Sequence, residues 1–185
     1  MRRERGIGKP TVLACLLGIL AVALLFLSLS CSSSPGSNPF GALVSHTDCK
    51  SNGALAPRAE GEVRAASQEC VEYSYDGLGV LRLKHVNAGF NCCPGTISAD
   101  LQAEGGEIRI MEKESTKGCE CECLYDTNYE FAGITPGSWR ISVVGPYQPE
   151  NDPPLEFSVD LAGETSGSFC VDRTAYPWTS IGLQN

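Results

Sequence analysis

Three cysteines alternate with two glutamates in the run Cys119-Glu120-Cys121-Glu122-Cys123, and two more stand side by side at Cys92-Cys93. Sulfur at this density can oxidise in pairs, bind a soft cation as thiolate, or exchange electrons with another thiol. On a strand, residues two apart share a face, about 6.6–7 Å apart at Cα with parallel side-chain directions. Cys119, Cys121 and Cys123 should therefore not bridge one another. A residue directly across an antiparallel pair lies at about 4.5–5.5 Å, so their partners belong on neighbouring strands or loops. Cys92 and Cys93 are the nearest in sequence. If extended they face opposite ways, and each could take a different partner; a bond between the two would strain the backbone. A bridge such as Cys93–Cys121 closes a loop of nearly thirty residues, and chain entropy assigns such a closure roughly 3–4 kcal/mol.

The alternative is a zinc or copper site built from Cys92, Cys93, Cys119, Cys121 and Cys123. Tetrahedral zinc, with Zn–S near 2.3 Å, needs sulfurs roughly 3.8 Å apart. A flat strand does not offer that, although a bent loop could, and Cu(I) also accepts clustered thiolates. A redox pair more often reads C-x-x-C, which the chain lacks.

Other chemistry is sparse. The chain has two histidines. His46 reads as solvated, and His85 shares a strand face with Leu81 and Leu83, which favours a packed side chain over a ligand. There is no G-x-S-x-G, no H-E-x-x-H and no phosphate loop. Asp76, Asp100, Glu120, Glu122 and Asp126 lack the spacing of an EF-hand loop and read as acidic surface. Tyr73, Tyr75, Tyr125, Tyr129 and Trp139 read as core, and Tyr176 and Trp178 as tail aromatics free to dock on the domain edge or on a partner.

The compartment decides between oxidised and reduced sulfur. Thr11 to Ser30 carry no charge, follow Arg2, Arg3, Arg5 and Lys9, and end on Cys31. The run then passes into SSSPGSNP. This order resembles a bacterial lipoprotein signal peptide, with Ser30 as the small residue before the cysteine. That resemblance implies cleavage, acylation (palmitate or a similar chain) on Cys31, and a domain held outside the cytoplasm. The residue three before the cysteine, usually Leu, is Ser28, between Leu27 and Leu29. The run is also long enough to span a bilayer uncleaved, which needs about 20 residues. Either form anchors the chain and leaves the basic residues cytoplasmic; simple secretion is a third reading. In Gram-negative lipoproteins a non-acidic residue after the cysteine, here Ser32, is compatible with the outer membrane.

Removing residues 1–30 from 185 leaves 155, enough for one domain with its own core. The 14 basic and 22 acidic residues drop to 10 and 21, a net charge near −11. Such a surface repels phosphate backbones and excludes nucleic acid as an expected partner. Of ten cysteines, Cys15 leaves with the signal and Cys31 carries lipid. Cys49, Cys70, Cys92, Cys93, Cys119, Cys121, Cys123 and Cys170 remain, an even set that in an exported chain reads as a disulfide framework.

The expected organisation is a signal segment over 1–30, a lipidated flexible tether over 31–45, an irregular segment over 46–69 and a β-domain over 70–185. Short alternating runs such as VLRLKHV, ISADLQA, EIRIM, SWRISVV and LEFSVD are separated by turn residues. Gly105-Gly106 is a two-residue hairpin signal and Pro136-Gly137 a second turn. No helical period occurs outside the signal. About eight strands at this spacing give an all-β, antiparallel β-sandwich.

The run YEFAGITPGSWRISVVG is similar to the strand–turn–strand element of transthyretin-like and collagen-adhesin B-type sandwiches, through Phe131, Ile134, Pro136, Gly137 and Trp139. That likeness implies an Ig-like fold type and no function. NCCPG with CECECLYD and the Pro-Gly turn resembles a group of bacterial cysteine-rich lipoproteins, which implies no particular activity. The sequence thus leads to a membrane-anchored, disulfide-stabilised surface lipoprotein, a structural or interaction module rather than an enzyme. It needs no cofactor unless the thiolate reading holds.

Overall fold

A computed structural model describes residues 39–50 and 65–179. The leader, Cys31 and the tether up to residue 38 lie outside these residues, and nothing in the structure bears on them. Among the described residues no helix is long and apolar enough to cross a membrane.

Among the described residues nine strands form two packed sheets. Their ranges are β1 Phe40–His46, β2 Gln68–Tyr75, β3 Val80–Asn91, β4 Ile97–Glu104, β5 Glu107–Glu114, β6 Glu122–Ala132, β7 Ser138–Val144, β8 Leu155–Asp160 and β9 Ser166–Asp172. The first sheet runs β1-β6-β3-β2-β9 and the second β4-β5-β7-β8. Together they make the expected all-β sandwich. The alternating runs turn their apolar residues inward: Ile108 and Ile110 on β5 are fully buried while Glu107, Arg109 and Met111 are exposed.

The Gly105-Gly106 signal forms a two-residue hairpin with Glu104 opposite Glu107. Both glycines have positive φ, 59° and 81°, the conformation that a two-residue turn with the right strand twist requires. The Pro136-Gly137 turn behaves differently. It joins β6 in one sheet to β7 in the other, so it is a crossover between layers and not a hairpin within one. Among the described strands the chain changes sheet four times, and two of these changes follow directly on each other, from β5 to β6 and back to β7. That return brings β7 beside β5 in the same direction, and their pairing is parallel. It is the one non-antiparallel pairing among the described strands.

Two further differences from the sequence reading have local causes. Phe40–His46, within segments read as tether and irregular chain, pairs antiparallel with β6 as an edge strand; its small and exposed residues gave no clear alternation. The run CECEC, read above as lying on a strand, enters one only at Glu122, where β6 begins and continues to Ala132. Cys119 and Cys121 lie in the loop before it.

β3 is longer than VLRLKHV suggests because it continues through a bulge. Asn87, at φ 63°, is the extra residue between Val86 and Ala88 opposite Asp126 and Tyr125. It divides the interior. Before it, Leu81, Leu83, Tyr129, Phe131, Ile108, Ile110, Trp139 and Ile141 pack between the sheets. After it, Ala88, Phe90, Ile97, Cys123 and Tyr125 form a second cluster, with Leu43, Cys49 and Cys92 against it. The tail docks at the same place. Trp178 is buried, and its indole N–H donates to the Asn87 carbonyl at 2.8 Å. The ring lies over Gly89, where an added Cβ would come within 2.8 Å of it.

Trp139 is buried in the main cluster and donates its indole N–H to the Thr135 carbonyl at 2.8 Å. Replacing it by Ala should cost about 3–5 kcal/mol, read as a fall in the urea midpoint with an unchanged slope.

Candidate functional site

Eight cysteines form four disulfides in this structure: Cys49–Cys123, Cys70–Cys170, Cys92–Cys121 and Cys93–Cys119. Two hold distant parts of the chain, across sequence separations of 74 and 100. Cys49 lies just past β1 and reaches Cys123 at the start of β6. Cys70 and Cys170 stand opposite each other on β2 and β9, with Cα atoms 4.1 Å apart.

The other two bonds stand side by side. The loop after β3 carries Cys92 and Cys93, and the loop before β6 carries Cys119 and Cys121. Their Cα separations across the bonds are 5.6 and 5.4 Å. The Cys93–Cys121 pairing used above to size the loop is not formed, because each sulfur of the vicinal pair takes the other partner. The three cysteines of CECEC also do not share a strand face, since only Cys123 lies within β6.

Asn91 frames this end of the molecule. Its side-chain oxygen accepts from the backbone N–H of Cys93 at 2.9 Å and of Cys119 at 3.1 Å. Its side-chain nitrogen donates to the Cys119 carbonyl at 2.7 Å. Cys92 N–H donates to the Cys121 carbonyl at 2.9 Å, and Gly118 N–H to the Cys93 carbonyl at 3.2 Å. The zinc or copper alternative needs free thiolates, and here Cys92, Cys93, Cys119, Cys121 and Cys123 are each bonded to another sulfur. Among the described residues no group of three or more His, Cys, Asp or Glu is arranged to hold a metal ion.

A second constellation escaped the sequence reading. His85 is buried between two carboxylates, its Nε2 at 2.7 Å from Glu69 and its Nδ1 at 3.0 Å from Glu112. Arg173 pairs with the other oxygen of Glu69. Tyr129 and Thr127 donate their hydroxyls to Glu112 at 2.6 and 2.9 Å. Burial alone would lower the His85 pKa. The Glu112 charge, reinforced by hydrogen bonds to both carboxylates, outweighs it and pushes the imidazole up to about 10. Glu112 is driven up by burial but held below the usual carboxylate range by the His85 charge and its hydrogen bonds. The imidazole is therefore an imidazolium donating from both nitrogens. Glu112, His85, Glu69 and Arg173 form a chain of alternating sign with no net charge.

Histidine, carboxylate and tyrosine are the parts of acid–base catalysis, but access decides their use here. Glu69, Glu112, His85 and Arg173 are each 5% exposed or less, so a substrate would have no path to the imidazole. The arrangement joins the layers: Glu112 belongs to the second sheet, His85 and Glu69 to the first, and Arg173 to the chain leaving β9. The signal for it lay in phase. Glu69 alternates with Val71, Tyr73 and Tyr75, and Glu112 with Ile108 and Ile110. Charged residues in the inward phase of a strand require buried partners.

The outer face of the first sheet has a shallow concavity of about 400 Å³, lined by residues that include Val44, Glu72, Ser74, Arg82, Lys84 and Glu130. Its charges are mixed, with Arg82 paired to Glu130 at 3.1 Å. The acidic residues singled out in the sequence do not converge. Asp76 accepts backbone N–H bonds from Leu78 and Val80 in its turn, Asp100 pairs with Lys113, and Asp126 pairs with Lys50 and Lys84. Tyr176 is bound at the cysteine end, its hydroxyl donating to the Glu122 carbonyl at 2.7 Å.

Comparison with models of protein families, with curated proteins and with solved structures returned no match.

The buried charge chain makes stability depend on pH. Unfolded histidine titrates near 6.5, and folded His85 at about 10. Its contribution is complete below about pH 6.5 and is lost as pH rises through about 10. Glu112 acts in the opposite sense, contributing above the usual carboxylate range and losing its contribution as pH falls. Urea unfolding across a pH series should show stability declining from neutrality toward pH 10. His85→Leu should remove that alkaline decline and cost about 3–5 kcal/mol at neutral pH, since it leaves two carboxylates buried with one cation.

Proposed function

We propose that this chain is a membrane-anchored lipoprotein of the bacterial cell envelope whose sandwich domain is a structural or interaction module without catalytic activity. The observation that carries the reading is the sulfur inventory. Every cysteine after Cys31 is in a disulfide. Disulfides persist in oxidising compartments and are rare in reducing ones. Four of them mark a domain that works outside the cytoplasm.

The anchor rests on the leader: the basic start, the uncharged run and Ser30-Cys31. Acylation there, with the SSSPGSNP tether, would hold the domain a short distance from the membrane. The net charge near −11 favours standing off anionic lipid heads over lying on them. The burial of Phe131, Ile134 and Trp139 around the turn between β6 and β7 supports the likeness to transthyretin-like and adhesin sandwiches in fold type. The inaccessible His85 chain supports a module over an enzyme.

Metabolic labelling with an alkyne fatty acid tests the anchor. The expected result is label in the wild-type protein, with both label and membrane fractionation lost in Cys31→Ala. Label that persists in the variant would contradict acylation at Cys31.

A further inference from the structure

The four disulfides fall into two classes. Cys70 and Cys123 are buried, at 0% and 7% exposure, so the Cys70–Cys170 and Cys49–Cys123 bonds each present at most one sulfur to solvent. The adjacent bonds differ, because Cys93 and Cys121 are exposed and their partners Cys119 and Cys92 only half-buried. Exchange requires a thiolate to approach a disulfide sulfur, so access selects which bonds react.

We propose that the paired bonds Cys92–Cys121 and Cys93–Cys119 are a thiol–disulfide exchange site that oxidises a dithiol on a cationic partner, while the two shielded bonds hold the fold. The partner's thiolate attacks Sγ of Cys93. The Cys93–Cys119 bond breaks and its electron pair leaves on Sγ of Cys119, which takes a proton from water. The partner's second thiol gives up its proton and attacks its own sulfur in the mixed disulfide, expelling Cys93 as thiolate, which is then protonated. The partner loses two electrons and two protons and becomes a disulfide; Cys93 and Cys119 gain them.

Three features suit this end of the molecule to that chemistry. The backbone around the sulfurs is held independently of the bonds by Asn91, by Cys92 N–H to Cys121 and by Gly118 N–H to Cys93, so reduction leaves the loops in place. The bonds adjoin through consecutive Cys92 and Cys93, which sets a thiolate released from one beside the other and makes a second oxidising equivalent available. The paired bonds also close the shorter loops, with separations of 29 and 26 against 74 and 100, so opening them frees less chain. The partner's charge follows from Glu114, Glu120 and Glu122, which outnumber Lys117 at this end of the molecule. They repel an anionic thiol and attract a cationic one.

Full-length protein purified from membranes, treated with limiting dithiothreitol and then alkylated, tests the assignment by peptide mass spectrometry. The expected first labels fall on Cys93 and Cys119 or on Cys92 and Cys121, with Cys49, Cys70, Cys123 and Cys170 unlabelled and the near-ultraviolet circular dichroism retained. Labels appearing on all eight together with unfolding, or first on any of the shielded four, would overturn it. With two reduced dithiol peptides differing only in the sign of net charge, the cationic one should be oxidised faster, with one protein disulfide lost per peptide disulfide formed. Equal rates, a faster anionic peptide, or no peptide disulfide would overturn the partner assignment.

Discussion

One inserted residue, Asn87, sets the geometry on which the two ends of this domain depend. Without it, the alternation of β3 would carry Leu81, Leu83 and His85 on to residue 87 and Gly89. With it, Ala88 and Phe90 turn into the second cluster instead, and Gly89 is freed to meet Trp178. The bulge is held by bonds from every polar group of the residue. Its N–H donates to Asp126 and its carbonyl accepts from Trp178. Its side chain donates to the Ala65 and Gln68 carbonyls and accepts from Lys50. Asparagine tolerates positive φ better than most residues, so a small conformational cost buys one fixed point joining β2, β3, β6, the Cys49 segment and the tail.

On one side of that point, charge joins the sheets; on the other, sulfur joins the segments that flank β1, β3 and β6 of the first sheet. The chain Glu112–His85–Glu69–Arg173 lies between the layers, where a single unpaired member would be costly. It constrains the sheets to one relative placement, since the imidazolium must reach a carboxylate on each. Beyond the bulge the second cluster is small and opens toward the loops. There Cys49–Cys123 ties the segment after β1 to β6, and the hydrogen bonds of Asn91 hold the loops that carry Cys92–Cys121 and Cys93–Cys119.

Much of the sandwich was legible because its strands alternate and its turns carry glycine. The Gly105-Gly106 hairpin and the inward Trp139 follow from local chemistry alone. The layer change at Pro136-Gly137 was not legible, because a turn sequence does not say whether the next strand stays in its sheet. β1 was hidden by its edge position, where one open side permits Phe40 and Val44 to remain exposed. Periodicity placed His85 on the core face but could not name its partners. Glu69 and Glu112 come from strands whose pairing the sequence leaves open. The sulfur partners were confined to neighbouring elements by the spacing of CECEC, while the assignment within them depended on where β6 begins.

The account turns on the oxidation state of the sulfurs, since export, rigidity and the two classes of disulfide all rest on it. The most direct measurement is peptide mapping of protein isolated from its native source, digested at acid pH without reductant after free thiols are blocked. The account predicts linked peptides Cys49–Cys123, Cys70–Cys170, Cys92–Cys121 and Cys93–Cys119, with no blocked cysteine among the eight. Blocked thiols at Cys92, Cys93, Cys119, Cys121 and Cys123, with stoichiometric zinc or copper in the same preparation, would contradict it.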